Sequence, residues 1–224
     1  MRKIHLIIIF FISIAMTGCP VRSLQSIFKY QDLIYNPKLI GTWICNYKFD
    51  STEVREVWSF QNEDSSHYHL KIIYLVKDSI SGKFEYKDSV RFQASYGKIG
   101  TNYYLDIFPK PLDELCNLNN NMSFRNYFIP THTIYKFSFE NEYFKVKTLS
   151  SGWLIRAIEK GKIQIPHFIE GVDSKKDPNY KNMMAMSHDI TLTATTTELQ
   201  KFIKKIENEK DAYEDYEMVY VKEK

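Results

Sequence analysis

The chain has 224 residues, enough for one sizeable domain with its own core. Its 30 basic and 27 acidic residues leave a formal net charge of +3, and no basic block stands out, which argues against a nucleic-acid partner. A hydrophobic content of 44% with 15% aromatic residues, including 16 Tyr and 15 Phe, excludes a disordered chain and favours strands.

The chain opens with Arg2 and Lys3, then an apolar run from Ile4 through Met16 broken only by His5 and Ser13. A basic start, a short apolar core and small residues before a cut site make a secretory signal peptide. The run is too short for a transmembrane helix, which needs about 20 apolar residues. Met16-Thr17-Gly18-Cys19 follows, and these four residues resemble the lipobox of bacterial lipoproteins. The resemblance implies a thioether lipid on Cys19, cleavage after Gly18 and acylation of the new amino terminus. Stable anchoring needs more than one acyl chain, and such a modification supplies several. In these lipoproteins an Asp after the cysteine retains the protein at the inner membrane. Pro20 stands there, which implies the outer membrane in a cell that has one. Residues 1–18 are read as signal peptide, 19–38 as anchor and tether, and 39–224 as one domain. Loss of 1–18 removes two basic and no acidic residues, leaving 28 basic against 27 acidic in 206 residues.

Pro20 to Pro37 reads as a tether with one short helical turn near Ser23 to Tyr30. The first strand is Leu39 to Tyr47, and the second, Val54 to Gln61, follows a turn around Asp50-Ser51. In His67 to Val76, Tyr68, Leu70, Ile72, Tyr74 and Val76 share one face while His67, His69 and Lys71 share the other. This period of two marks a half-buried strand. Asp88 to Tyr96 repeats it with Val90, Phe92, Ala94 and Tyr96. After the turn Gly97 to Gly100, Thr101 to Phe108 aligns Tyr103, Leu105 and Ile107, and Pro109 and Pro111 end it. Leu112 to Pro130 is irregular, with a helical turn at Asp113 to Leu118. Thr131 to Phe139 and Tyr143 to Leu149 form a hairpin that aligns Tyr135 and Phe137 with Phe144 and Val146. Trp153 to Lys160 reads as a short helix, Ile163 to Phe168 as a strand, and Gly171 to Ser187 as a long loop. Asp189 to Ala194 is a strand. Thr195 and Glu198 then have capping-box spacing before a helix whose face is Leu199, Phe202, Ile203 and Ile206. Tyr216 to Lys222 returns to strand. Eight or nine strands joined mostly by short turns predict an antiparallel barrel or sandwich.

Chemistry is sparse. No nucleophile elbow, metalloprotease helix, phosphate loop or dinucleotide fingerprint occurs. His67 and His69 point one way from a strand, but Lys71 shares that face and repels a cation, so a solvated face is expected and no metal. His132, His167 and His188 are isolated in sequence. The acidic run from Glu207 to Glu217 reads as a solvated helix end. Cys45 shares a strand face with Trp43 and Tyr47, a core setting rather than a reactive one. Cys45 and Cys116 are open to two readings, one disulfide or two thiols. No catalytic residue and no cofactor are expected, and the chain is read as a non-enzyme.

Gly41-Thr42-Trp43 resembles the Gly-x-Trp motif at the first strand of lipocalins and bacterial lipocalin-like lipoproteins. The resemblance implies an up-and-down antiparallel β-barrel whose Trp closes one end, with a C-terminal helix and a further strand after the eighth, matching Thr195 to Ile206 and Tyr216 to Lys222. The chain departs from the family at Thr101-Asn102-Tyr103, an early counterpart of its Thr-Asp-Tyr motif. It also lacks an arginine in Asp189 to Ala194, where the family carries one against the Trp. The expected function is a lipid-anchored extracytoplasmic binding protein for a small apolar or amphipathic ligand. Tyr68, Leu70, Tyr74, Phe92, Tyr103, Tyr135 and Phe137 would line its cavity. The alternative is an envelope structural or interaction lipoprotein with a solid core, since small barrels either hold a ligand or fill themselves.

Overall fold

The computed structural model describes residues 21–49, 51–110, 129–140, 142–169, 189–214 and 217–223. The lipobox, Cys116, the expected turn at Asp113 to Leu118 and the expected loop from Gly171 to Ser187 lie outside the described residues.

After a two-residue strand β1 (Arg22–Ser23), seven strands run up and down in chain order: β2 (Gly41–Phe49), β3 (Thr52–Asn62), β4 (His67–Lys77), β5 (Phe84–Ile99), β6 (Asn102–Pro109), β7 (His132–Glu140) and β8 (Tyr143–Thr148). Each pairs antiparallel with the next. Helix α1 (Ser151–Glu159), strands β9 (His167–Ile169) and β10 (Ile190–Leu192), helix α2 (Thr196–Ile206) and strand β11 (Met218–Lys222) complete the order. β11 enters antiparallel between β8 and β2 and closes an eight-stranded barrel. Closure leaves no open edge on the barrel itself.

Two expectations change here. The strand after the C-terminal helix is not an addition outside the barrel but its eighth member. The strand expected at Asp189 to Ala194 is shorter and lies outside, in a side sheet that continues from β7 through β1 and β10 to β9.

The turns follow from local chemistry. Between β3 and β4 the Asp64 carboxylate accepts from the Ser66 and His67 amides at 2.6 and 2.8 Å. Between β4 and β5 Asp78 accepts from Ile80 and Ser81 at 3.1 and 2.6 Å. Such side-chain-to-backbone bonds stand in for ladder bonds where the chain reverses. Gly41 sits at φ 127, and a Cβ there would lie 3.0 Å from the Lys222 side chain. Only glycine takes that conformation without strain.

Pleating divides the apolar residues between two cores. One fills the barrel and includes Trp43, Trp58, Phe60, Tyr68, Leu70, Phe137, Phe144 and Tyr220. The other lies outside the barrel wall, where Ile99, Tyr104 and Ile134 meet Leu154 and Ile155 of α1, Leu192 of β10, and Leu199, Phe202 and Ile203 of α2. The expected apolar stripe of α2 is therefore buried against the outside of the barrel. Its start has the expected capping box, with Glu198 Oε2 accepting from the Thr195 amide at 2.8 Å and Thr195 Oγ1 accepting from the Glu198 amide at 3.4 Å.

The stretch expected as a tether is packed from Val21 onward. Val21, Ile27 and Phe28 are buried in the outer core. Asp106, itself 2% exposed, accepts from Ser26 Oγ at 2.6 Å and the Ile27 amide at 3.0 Å. Gly97 permits this approach, since a Cβ there would lie 2.6 Å from the Asp32 carbonyl oxygen. A one-turn 3-10 helix, Pro37–Leu39, then carries the buried Leu39 to the barrel end, where the Leu39 carbonyl accepts from Trp43 Nε1 at 2.8 Å.

Candidate functional site

The barrel interior has two unlike halves. At the end where β2 begins, the ring of Trp43 is fully buried, with Phe144 at 4.9 Å and Phe139 at 5.6 Å in edge contact. The Lys222 ammonium stands 5.2 Å above the Trp43 ring, a cation–π contact. Tyr68 is fully buried; its hydroxyl accepts from the Asn36 amide at 2.5 Å and lies 3.2 Å from the Asn36 carbonyl. Its ring stacks on Tyr35 at 5.7 Å. Leu70 and Phe137 are buried in the same core. This half is filled by its own side chains.

The other half differs. Register sets Cys45 opposite Glu56, Tyr47 opposite Val54, and Glu56 opposite Tyr74. Tyr47, Tyr74, Tyr135 and Met218 are only partly buried and pack on the inner core. Beside Tyr47 and Tyr74, Glu56 is 5% exposed. Its Oε1 accepts from Trp58 Nε1 and, at 2.9 Å, from the Tyr220 hydroxyl. Burial pushes the Glu56 carboxyl above its ordinary value, while hydrogen bonds from Trp58, Tyr220 and Tyr47 pull it partly back. Burial also raises Tyr74, and the nearby Glu56 charge adds to the effect. The arrangement is an apolar, aromatic wall with one acid set in it. Such a surface suits an apolar body with a hydrogen-bonding or cationic head.

The seven residues expected to line a cavity thus separate. Tyr68, Leu70 and Phe137 are packed against neighbours in the filled half. Tyr74, Phe92 and Tyr135 are partly buried: Tyr74 stands opposite Glu56, Tyr135 meets Trp58 edge-on at 5.6 Å, and Phe92 stands opposite Leu70. Tyr103 is at a rim, 39% exposed, with its ring stacked on Tyr96 at 5.4 Å and Lys98 at 5.6 Å above it. Glu56 was missed. Its signal was an acid sharing the alternating face of Val54, Trp58 and Phe60, where every neighbour is apolar.

Outside the barrel, His67 Nδ1 lies 3.1 Å from both Asp64 oxygens, while His69 meets Lys110 and, at 3.5 Å, Glu63. The two imidazoles share a wall but not their partners. No group of three or more His, Cys, Asp or Glu among the described residues is placed to hold a metal. His132, isolated in sequence, is brought to Asp106, with Nδ1 at 2.7 Å. Ser26, Asp106 and His132 line one cleft of about 200 Å³. This set imitates a hydrolase triad, but the Ser26 hydroxyl donates to the carboxylate rather than to the imidazole, so the order of contacts is not the serine–histidine–acid relay. The cluster pins the N-terminal segment to the wall. Cys45 is a buried free thiol, and the Cys116 with which it was weighed lies outside the described residues. Burial, with the Glu56 charge adding, pushes its pKa up to about 11, opposite to what a nucleophilic thiol needs. The acidic run does not converge either: Glu207 accepts from the Thr101 amide at 3.0 Å, and Glu217 pairs with Lys145 at 3.3 Å.

Comparison with protein-family models, with curated proteins and with solved structures finds no match to this chain.

Proposed function

We propose that this chain is a lipid-anchored, extracytoplasmic, lipocalin-like binding protein that takes a small apolar or amphipathic ligand at the half-buried end of its barrel. The observation that carries the reading is Glu56, an acid held inside the barrel among partly buried tyrosines. A buried acid in an aromatic wall orients a ligand by its polar end. The lipocalin resemblance is supported by Trp43 at the filled end and by Lys222 above it. The latter supplies, from the closing strand, a cation of the kind the family sets against its Trp. The anchor rests on Met16-Thr17-Gly18-Cys19 and the basic and apolar residues before it.

Native mass spectrometry of the domain purified from its own membranes tests the ligand. The expected result is a bound small molecule that is lost in Glu56→Gln or Tyr74→Ala while Tyr68→Phe retains it. A second reading, an envelope interaction protein with a solid core, draws on the packed rings of the filled half. It gains if no small molecule accompanies the wild type. Cys19→Ser separately tests the anchor: it should abolish fatty-acid labelling and release the protein from membranes.

A further inference from the structure

The docked N-terminal segment leaves almost no tether before the barrel. Val21 and Ser23 of β1 are 1% and 0% exposed, and Val21 packs in the core shared with α1 and α2. Asp106 holds the next residues, Ser26 and Ile27. One residue, Pro20, separates Val21 from Cys19. Two residues of chain reach no further than about 7 Å. The headgroup layer on one side of a bilayer is itself about 5–8 Å deep. A lipid on Cys19 therefore brings β1 to the headgroups, and the domain has no room to stand off.

Register decides which surface meets them. Arg22 stands opposite Thr191 of β10, and Thr191 stands opposite Phe168 of β9. These side chains share the face of the side sheet turned away from Val21, Ser23, Ile190 and Leu192, which are buried. Leu24 joins that face by alternation, and its amide donates to the Leu192 carbonyl at 2.9 Å. Phe168 is 61% exposed and Leu24 37%. Adjacent strands lie about 4.8 Å apart, so Phe168 is about 10 Å from Arg22 across the sheet. Arg22 pairs with Asp189, which balances its charge. An exposed aromatic and an exposed aliphatic side chain around a neutralised ion pair suit the boundary between headgroups and acyl chains, where Phe and Leu insert.

We propose that this face of the side sheet lies against the lipid bilayer, with Phe168 and Leu24 inserted at the level of the headgroups. The inference rests on the lipid anchor proposed above and is independent of any ligand inside the barrel.

The test uses the full chain, processed in its own host and reconstituted into phosphatidylcholine vesicles. Cys116→Ser removes one competing thiol, and burial keeps Cys45 from reagents. A small fluorophore is then attached at Phe168→Cys, Leu24→Cys or the control Ser65→Cys. Ser65 is exposed in the turn between β3 and β4, and β3 lies halfway round the barrel from β7, where the side sheet begins. A nitroxide carried high on the lipid acyl chain should quench the fluorophore at 168 and at 24 about threefold or more over the one at 65. Fatty-acid labelling and sedimentation of the same proteins report the anchor separately. Lipidated, vesicle-bound protein that is quenched equally at the three positions, or is not quenched at 168 and 24, would overturn the bilayer-facing surface and leave the anchor standing. Protein that carries no fatty acid would overturn the anchor and this inference with it.

Discussion

Tyr220 donates its phenolic hydrogen to Glu56 Oε1 at 2.9 Å, tying the closing strand β11 to β3 across the intervening β2. The phenol is fully buried, its ring 4.7 Å from Trp58 and 4.8 Å from Phe144. Tyr220→Phe keeps the ring and removes the donor. It should cost about 1–2 kcal/mol at neutral pH, the range for a buried hydrogen bond to a charged or polar group. The loss should shrink in acid, where a protonated Glu56 needs fewer donors. Urea unfolding of both proteins at two pH values checks this.

Glu56 itself should make stability fall as pH rises. Its folded carboxyl is raised above the ordinary 4.5, so in the window between the two values the native state holds more protons than the unfolded chain. That contribution is fully present below about 4.5 and is lost as pH climbs through the raised folded value. Glu56→Gln keeps an acceptor for Trp58 and Tyr220 but cannot ionise. Its denaturation midpoint should be flatter across this window than that of the parent. An equal pH slope in the two proteins would show that Glu56 does not set it.

Cys45 should resist alkylation. Its thiol is buried and its pKa is raised to about 11, so almost no thiolate exists at neutral pH. Iodoacetamide followed by peptide mass mapping should label Cys45 only once denaturant opens the barrel. Ionisation of this thiol also favours unfolding. Its contribution to stability is intact below the ordinary 9.0 and is lost as pH rises towards 11.

Asp106→Ala should release the N-terminal segment. The carboxylate serves Ser26 Oγ, the Ile27 amide and His132 Nδ1 at once, and its removal leaves one buried and two half-buried groups unmatched. A cost of about 3 kcal/mol is expected. Limited proteolysis should then cut between Val21 and Tyr35, a stretch the parent protects. Protection equal to the parent would mean that the apolar contacts of Ile27 and Phe28 hold the segment without the carboxylate.

Faces were legible in the sequence, and neighbours were not. The alternation of Tyr68, Leu70 and Ile72 reports which side of a sheet is buried, and those residues are buried. Ile190 and Leu192 alternate in the same way whether their strand sits in a barrel or in a side sheet. Only the long-range pairing with Arg22 and Ser23 decides between them. Val21, Ile27 and Phe28 are too widely spaced to show a period, so the docked segment read as a tether. Glu56 escaped because a search for apolar alternation passes over the one acid within it. The face shared by Arg22 and Phe168 depends on cross-strand register, which neither strand's sequence specifies alone.

The seam between β2 and β11 bears on the order of assembly. Trp43 finds its partner Lys222 only after every other element has been made. Until then the seven barrel strands β2 to β8 form a sheet whose two outer members, β2 and β8, present unpaired backbone, a template for joining another chain. Pairing between residues so far apart in sequence is slow, because chain entropy must be lost before the contact forms. A chain cut just before Met218 would hold this vulnerable intermediate permanently. It should self-associate through those two edges, and a synthetic peptide spanning 217–223 should compete with that association by taking the vacant place.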